Sequence, residues 1–377
     1  VRVLALQAKK YPDIDMPTVI TQIAGRKVAA EKIPSWWEIE KIWYPKHLSL
    51  EQCSSEITAR YKARLLQGDS LTDLTGGFGI DCSFLATGFK SATYVERQEE
   101  LCEIAAHNFP VLNLNHINIK NEDGVTYLQA MSPVDCLFLD PARRNEHGGK
   151  TVAISDCEPN VAELEELLLQ KANRVMIKLS PMLDLSLALK ELKQTQEVHI
   201  LSVNNECKEL LILLGQTSPA EISIHCVNLF TKGTQKEQHF VFTREQEQCS
   251  ECTYTDSLET YLYEPNASLL KAGAFRSIAA AYPVRKLHPN SHLYTSDTFI
   301  ENFPGRIFRI VNQCSFNKKE VKENLADLKK ANVTVRNFPA TVAELRKRIH
   351  LAEGGDTYLF ASTLNNGQKV LIRCEKV

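Results

Sequence analysis

The chain reads as a doubly wound, Rossmann-like α/β sheet, preceded by a helical segment and followed by a small α+β domain. Three observations predict this. Between residues 69 and 203, short apolar β-branched runs alternate with helix-patterned stretches, the rhythm of crossover units in a parallel sheet. The first run leads into a glycine-rich turn, Leu71–Asp81 (LTDLTGGFGID). After about residue 230 the rhythm is lost, and a strand–helix–strand–helix–hairpin order takes over from Arg306.

Taken in order, residues 1–48 form an N-terminal helical segment. Met16–Ile33 carries apolar positions at helical spacing, and Trp36, Trp37, Trp43 and Tyr44 follow. Packing of these aromatics against the next domain is the expected use, contact with a base the other. Ser49-Leu50-Glu51-Gln52 is a capping-box pattern, predicting one helix from Ser49 to Gln67, stopped at Gly68. Strands are expected near 70–74, 93–97, 116–121, 135–140, 174–180 and 197–203. Glu209–Leu214 is strand or helix, and Ile222–Leu229 is a strand; together they suit an antiparallel hairpin closing the sheet. Domain spans of 49–235, 236–303 (a connecting region) and 304–377 follow. In the last span, Asn366-Gly367 marks a hairpin between Thr357–Ser362 and Lys369–Cys374.

Composition sets bounds. Hydrophobic content of 44% and charged content of 24% are ordinary for a globular chain. No apolar run reaches the length of a membrane span, and no secretory leader is read. Eleven cysteines without a spacing framework suggest reduced thiols and a cytoplasmic setting. Cys249 and Cys252 lack a second pair to complete a zinc site. Net charge is −2, but residues 264–377 hold 18 Lys and Arg against 10 Asp and Glu, a local positive balance.

The glycine turn follows a strand and opens a helix, which frees backbone N–H groups for a polar ligand. Asp73 stands at the strand tip, Glu96 ends the second strand, Asp123 follows the third, and Asp140-Pro141-Ala142-Arg143 follows the fourth. A dinucleotide site wants G-x-G-x-x-G; Cys82 occupies the third glycine's place, and a carboxylate at 73 would repel a pyrophosphate.

In these four motifs the chain resembles class I methyltransferases dependent on S-adenosylmethionine. Asp73-x-x-Gly76-Gly77-x-Gly79 resembles motif I, Glu96 the ribose acid, Asp123 the adenine acid, and Asp140–Arg143 motif IV. The resemblance implies S-adenosylmethionine held by Asp73, Thr75, Gly76, Gly77, Gly79, Asp81, Glu96, Arg97, Asp123 and Gly124. In such enzymes the segment before motif I often touches the methionine end, which points to Thr58 or Lys62; a polar helix face is the alternative. Asp140, Pro141, Arg143 and Lys178 are the implied catalytic set. Ala142 and Arg143 depart from the family's D-P-P-aromatic form, which leaves base-amine chemistry open. No cysteine follows strand five, so thiol attack on a pyrimidine C5 is not expected. The loop 143–159, with Arg144, His147 and Lys150, is expected to gate the acceptor side. The C-terminal region resembles a THUMP-like domain, which implies RNA as a partner. The expected function is methylation of a nitrogen in structured RNA; a protein or small-molecule acceptor, or RNA binding without catalysis, are the alternatives.

Overall fold

The computed structural model describes residues 12–143, 153–217 and 219–377, grouped into two compact units. The first unit reaches Leu201 and includes Lys208–Ile222. Its strands are β1 (Ser70–Asp73), β2 (Ser91–Glu96), β3 (Ile117–Asn121), β4 (Val134–Leu139), β5 (Ala172–Leu179), β6 (Thr195–Val203) and β7 (Glu206–Gly215). They lie in the order β6-β7-β5-β4-β1-β2-β3. The pairs β1–β2, β1–β4, β2–β3 and β4–β5 are parallel. The order reverses direction at β1, whose two neighbours are β2 and β4, and a sheet of this kind opens its ligand crevice at the carboxyl ends there.

The ambiguous run at 209–214 is a strand, and its pairing differs from the expected hairpin with 222–229. β7 lies antiparallel to β5, between β5 and β6. Leu210–Leu214 are all fully buried, as a strand flanked on both sides requires. The stretch Ser223–Leu229 (β8) pairs instead with Glu237–Thr243 (β9), in the second unit.

The N-terminal segment packs on the glycine turn. Helix α1 (Met16–Lys32) begins at Asp15, whose side chain accepts from Thr18 N–H. Ile33, Trp36, Tyr44 and Leu50 are buried in one cluster with Phe78 and Ile80. Trp36 meets Phe78 edge-on at 5.2 Å, the geometry aromatic quadrupoles favour. Trp36 and Tyr44 thus serve packing; Trp37 and Trp43 stay exposed, the latter stacked on His107.

The single helix expected over 49–67 is two: α2 (His47–Gln52) and α3 (Glu56–Ala63). Ser49 does not cap; Lys46 precedes α2 without a side-chain bond. The break falls at Cys53–Ser55, where serines compete with the helical ladder for backbone partners. Lys32 Nζ bonds the free carbonyls of Leu50 and Glu51 at the end of α2. The break turns Ser54 inward, with consequences for the site.

In the second unit, β10 (Tyr261–Pro265), β11 (Arg285–Lys286), β12 (Tyr294–Ser296), β13 (Gly305–Ser315), β14 (Asn332–Val335), β15 (Thr357–Thr363) and β16 (Lys369–Lys376) form one sheet. The order is β11-β12-β10-β13-β16-β15-β14. Helices Lys318–Leu325 and Val342–Ile349 cover one part of it through Leu325 and Leu345, both in a buried cluster with Leu359, Ala361 and Leu371. After β10 come two short helices, Ala267–Ala272 and Ser277–Ala281, parted at Gly273 in the left-handed region (φ +77°). Glu264 is buried and bonded to Arg306 and Arg336. No helix among the described residues is long and apolar enough to cross a membrane.

Candidate active site

The carboxyl ends of β1, β2, β4 and β5 border a cleft of about 1430 Å³. It is lined by Asp73, Thr75, Gly76, Gly77, Gly79, Asp81, Glu96, Arg97, Asp123, Gly124, Asp140, Pro141 and Lys178, so thirteen of the sixteen residues singled out in the sequence meet there. The volume exceeds what one small molecule commonly fills, leaving space for a second reactant.

The glycine turn is shaped by what it must avoid. A Cβ on Gly76 would stand 2.3 Å from the Tyr94 ring, and Gly77 and Gly79 have φ of +55° and +86°. Gly76 N–H donates to Val95 O (2.9 Å), and Tyr94 Oη donates to Gly77 O (2.5 Å). The turn is therefore pressed onto β2, and Gly79 then starts helix α4 (Ile80–Ala86). Gly124 meets the other side of β1: a Cβ there would lie 2.2 Å from Leu74 O.

Each acid is fixed differently. Glu96 accepts from Gly77 N–H (2.9 Å) and Gln98 N–H (2.8 Å), which welds the end of β2 to the turn. Asp123 caps helix α5 (Gly124–Ala130), its Oδ1 accepting from Val125 and Thr126 N–H. Asp73, 1% exposed, accepts from Thr75 N–H (3.0 Å). Burial pushes its carboxyl up to about 8, against the Thr75 bond, with Asp81, Asp140 and Glu96 adding to the rise.

The end of β4 is tied to the same turn, for Asp140 N–H donates to Thr75 Oγ1 (2.6 Å). Asp140 Oδ2 accepts from Lys178 Nζ at 2.5 Å. Burial raises the Asp140 carboxyl while Lys178 opposes the rise. On Lys178, burial disfavours the charge, but Asp140, Asp81 and Glu209 outweigh it and raise the ammonium well above its ordinary range. Asp81 accepts from Ser54 Oγ (2.7 Å) and pairs with Lys62 (2.9 Å) and Lys178 (3.3 Å). Burial there favours the neutral acid, yet the two ammonium groups overcome it and bring Asp81 down to about 2.

Three sequence expectations change or fall outside. Thr58 and Lys62 do not line the cleft. Thr58 is 1% exposed and bonds Ser55, and Lys62 is fully buried, its Nζ taken by Ser54, Asp81 and Glu209. The helix break at Cys53–Ser55 aims this face into the protein rather than at the cleft mouth. Arg143 is described in its backbone alone, where Ala142–Arg143 pairs with Cys157–Glu158; Arg144, His147, Gly148, Gly149 and Lys150 lie outside the described residues.

Sequence reasoning missed Ser54 and Glu209. A serine pair inside an apparent helix and a glutamate opening the apolar run Leu210–Leu214 were the available signals. Two thiols, Cys53 and Cys157, are also in the cleft wall. Burial pushes Cys53 up to about 11, so it stays a thiol at neutral pH.

The state of Asp73 gives a pH-dependent expectation. The folded chain holds this proton more tightly than the unfolded one, so its contribution to stability is full below about pH 4 and is lost as pH rises through about 8. Asp81, lowered to about 2, acts below that window. Without cofactor, the thermal midpoint of the wild type should fall relative to Asp73→Asn between pH 4 and pH 8. Parallel profiles in a melting series would contradict the shift.

Known proteins resemble the chain in parts and as a whole. A ferredoxin-like domain family matches residues 261–304, and a THUMP domain-like family matches residues 305–376. The crystal structure of a protein from Porphyromonas gingivalis W83, described as a “putative methyltransferase”, is 37% identical, covers 97% of this chain and 92% of its own, and superposes with a TM-score of 0.88. A modification subunit of a type I restriction enzyme from Vibrio vulnificus YJ016 is similar over 53% of this chain and 56% of its own, at 12% identity and a TM-score of 0.37. An rRNA methylase from Streptococcus thermophilus is similar over 42% of this chain and 93% of its own, at 14% identity and a TM-score of 0.31. These last two carry no part of the assignment. The comparison with curated proteins gives no match.

Proposed function

The chain belongs to the family of the Porphyromonas gingivalis W83 protein, class I methyltransferase-fold chains with a C-terminal THUMP-like domain, and on that footing we propose that it is an S-adenosylmethionine-dependent methyltransferase of a nitrogen in structured RNA. The observation that carries the reading is the meeting of Asp73, Glu96 and Asp123 with the glycine turn along one cleft.

The residues present suit this cofactor. Asp73 is a buried acid partnered among the described residues by Thr75, through backbone and side chain, and a cationic amino group would supply the countercharge that lets it ionise. Glu96, held by two backbone N–H groups, is set to accept from a ribose diol. Asp123 has its cap bonds on Oδ1, leaving Oδ2 for an adenine amine. Glycine lets the turn press onto Tyr94 at Gly76 and take positive φ at Gly77 and Gly79, which leaves its backbone open to a ligand. When bound, the cofactor supplies a methyl group on a positively charged sulfur. Asp140 orients the acceptor nitrogen by accepting its hydrogen, and Lys178 fixes that carboxylate in place.

RNA as acceptor is supported by the THUMP domain-like match and by the basic balance of residues 264–377. A protein or small-molecule acceptor is the second reading, favoured by Arg143 where a base-stacking aromatic would stand in motif IV. Methyl-labelled S-adenosylmethionine, incubated with the protein and fractionated cell RNA, protein and metabolites, separates them. Label is expected in RNA, and after nuclease digestion on a base nitrogen. Label confined to protein or metabolites would overturn the RNA assignment.

A further inference from the structure

Five charges, four of them buried, alternate in sign from the cleft into the protein. Asp140 pairs with Lys178 (2.5 Å), Lys178 with Asp81 (3.3 Å), Asp81 with Lys62 (2.9 Å), and Lys62 with Glu209 (2.6 Å). Ser54 Oγ cross-links the row: it accepts from Lys62 Nζ (2.8 Å) and Lys178 Nζ (3.0 Å) and donates to Asp81. The inner members are closed to water, with Lys62 at 0% and Glu209 at 5% exposure, whereas the Asp140 side chain is 36% exposed. With every group ionised, three carboxylates face two ammonium groups, one negative charge in excess. Buried charge of one sign is held poorly in a medium of low polarisability. The row is completed by one proton, and Asp140 is the member at which a proton can enter from the cleft.

We infer that Lys62 and Glu209 are positioning residues which, acting through Asp81 and Lys178, set the proton affinity of Asp140 so that it takes up the acceptor's proton. This rests on the methyltransferase reading of the site and goes beyond it by naming the acceptor's chemistry. As the acceptor nitrogen's lone pair forms the new N–C bond, the methyl's C–S bond would break with its electron pair left on sulfur, and the nitrogen becomes a cation. Its N–H bond then breaks, the electron pair stays on nitrogen, and the proton moves to an Asp140 oxygen. The row is then neutral, and Asp140 passes the proton to water in the cleft. The acceptor must therefore carry an exchangeable hydrogen on nitrogen, as an amine or a ring N–H does; a ring nitrogen without hydrogen has no use for this arrangement.

The groups acting on Asp140 are Lys178, Asp81 and Lys62, with Asp73 from the end of β1; Glu209 acts on Lys178. Among them Lys62 favours the carboxylate and the negative groups oppose it. Carbon-13 NMR of the full chain, labelled at aspartate carboxyls and assigned by loss of one signal in Asp140→Asn, reads the Asp140 midpoint without any acceptor. Lys62→Met/Glu209→Leu removes the nearer positive charge together with its more distant partner, and should raise the midpoint by about one unit, tenfold in proton affinity. Glu209→Gln alone leaves Lys62 in place and should lower it. Opposite shifts support the proposal; unmoved midpoints, or shifts of one sign, overturn it. Should the double variant not fold, Glu209→Gln decides by itself: a fall supports, no fall overturns. Titration of the wild type with S-adenosylmethionine keeps the two ideas apart. Binding with unmoved midpoints sinks the charge coupling alone, whereas opposite shifts without binding sink the methyltransferase reading and the proton step with it.

Discussion

Glu96→Ala and Asp73→Ala each weaken S-adenosylmethionine binding by roughly 10–100-fold, the worth of one hydrogen bond to a charged group. Isothermal titration of the full chain measures this directly. Glu96 should be the costlier of the two. Its carboxylate serves the ligand and also holds Gly77 and Gln98 N–H, so its loss loosens the turn that the ligand must lie against. Asp73 holds only Thr75 in the recorded bonds, and Asp73→Ala removes a countercharge without unpicking the loop. A rise in affinity with pH toward 8 is expected of the wild type, because Asp73 must give up its proton to meet a cationic amine. Unchanged affinity in both alanine variants would refute the placement of the cofactor in this cleft.

Lys62→Met produces the largest loss of stability, about 3–5 kcal/mol, the usual result of removing one partner from a buried ion pair. Against a total of about 5–15 kcal/mol for a typical domain, this is a large fraction. The cause is specific. Glu209 and Asp81 are 5% and 8% exposed, and Glu209 loses the ammonium recorded at 2.6 Å. Replacing Glu209 by leucine in the same chain should restore part of the loss, since the deeper carboxylate is then gone and Asp81 keeps Lys178 and Ser54 as partners. Urea unfolding of the two variants beside the wild type measures both effects; a loss under about 1 kcal/mol for Lys62→Met would show that the network is slack.

The parallel sheet and the three acids were legible in the sequence because their signals are local. Strands such as Val134–Leu139 are apolar runs of ordinary length, and each acid stands within a residue or two of a strand end. The turn could be read because glycine is demanded wherever Tyr94 or a positive φ leaves no space for a Cβ. The charged row was not legible. Lys62 and Glu209 are 147 positions apart, and nothing near Lys62 in the chain distinguishes it from a solvated lysine on a helix. Its assignment to the cofactor followed from its place before motif I, on a stretch read as one helix that is in fact broken at Cys53–Ser55. The place of β7 was hidden for a similar reason, since periodicity identifies a buried strand but not the neighbours between which it inserts.

The family segments that match residues 261–304 and 305–376 meet between Pro304 and Gly305, yet the sheet does not divide there. β10 from the first segment bonds directly to β13 from the second, with Pro265 opposite Gly305 and Glu264 opposite Arg306. A Cβ on Gly305 would stand 2.1 Å from the Glu264 carbonyl oxygen, so the seam is closed at backbone distance. Severed at this joint, either half would bare a full-length strand edge of the sort that recruits stray partners. The two segments thus fold as a single module, and any minimal version of this region begins before Tyr261 and runs through Lys376.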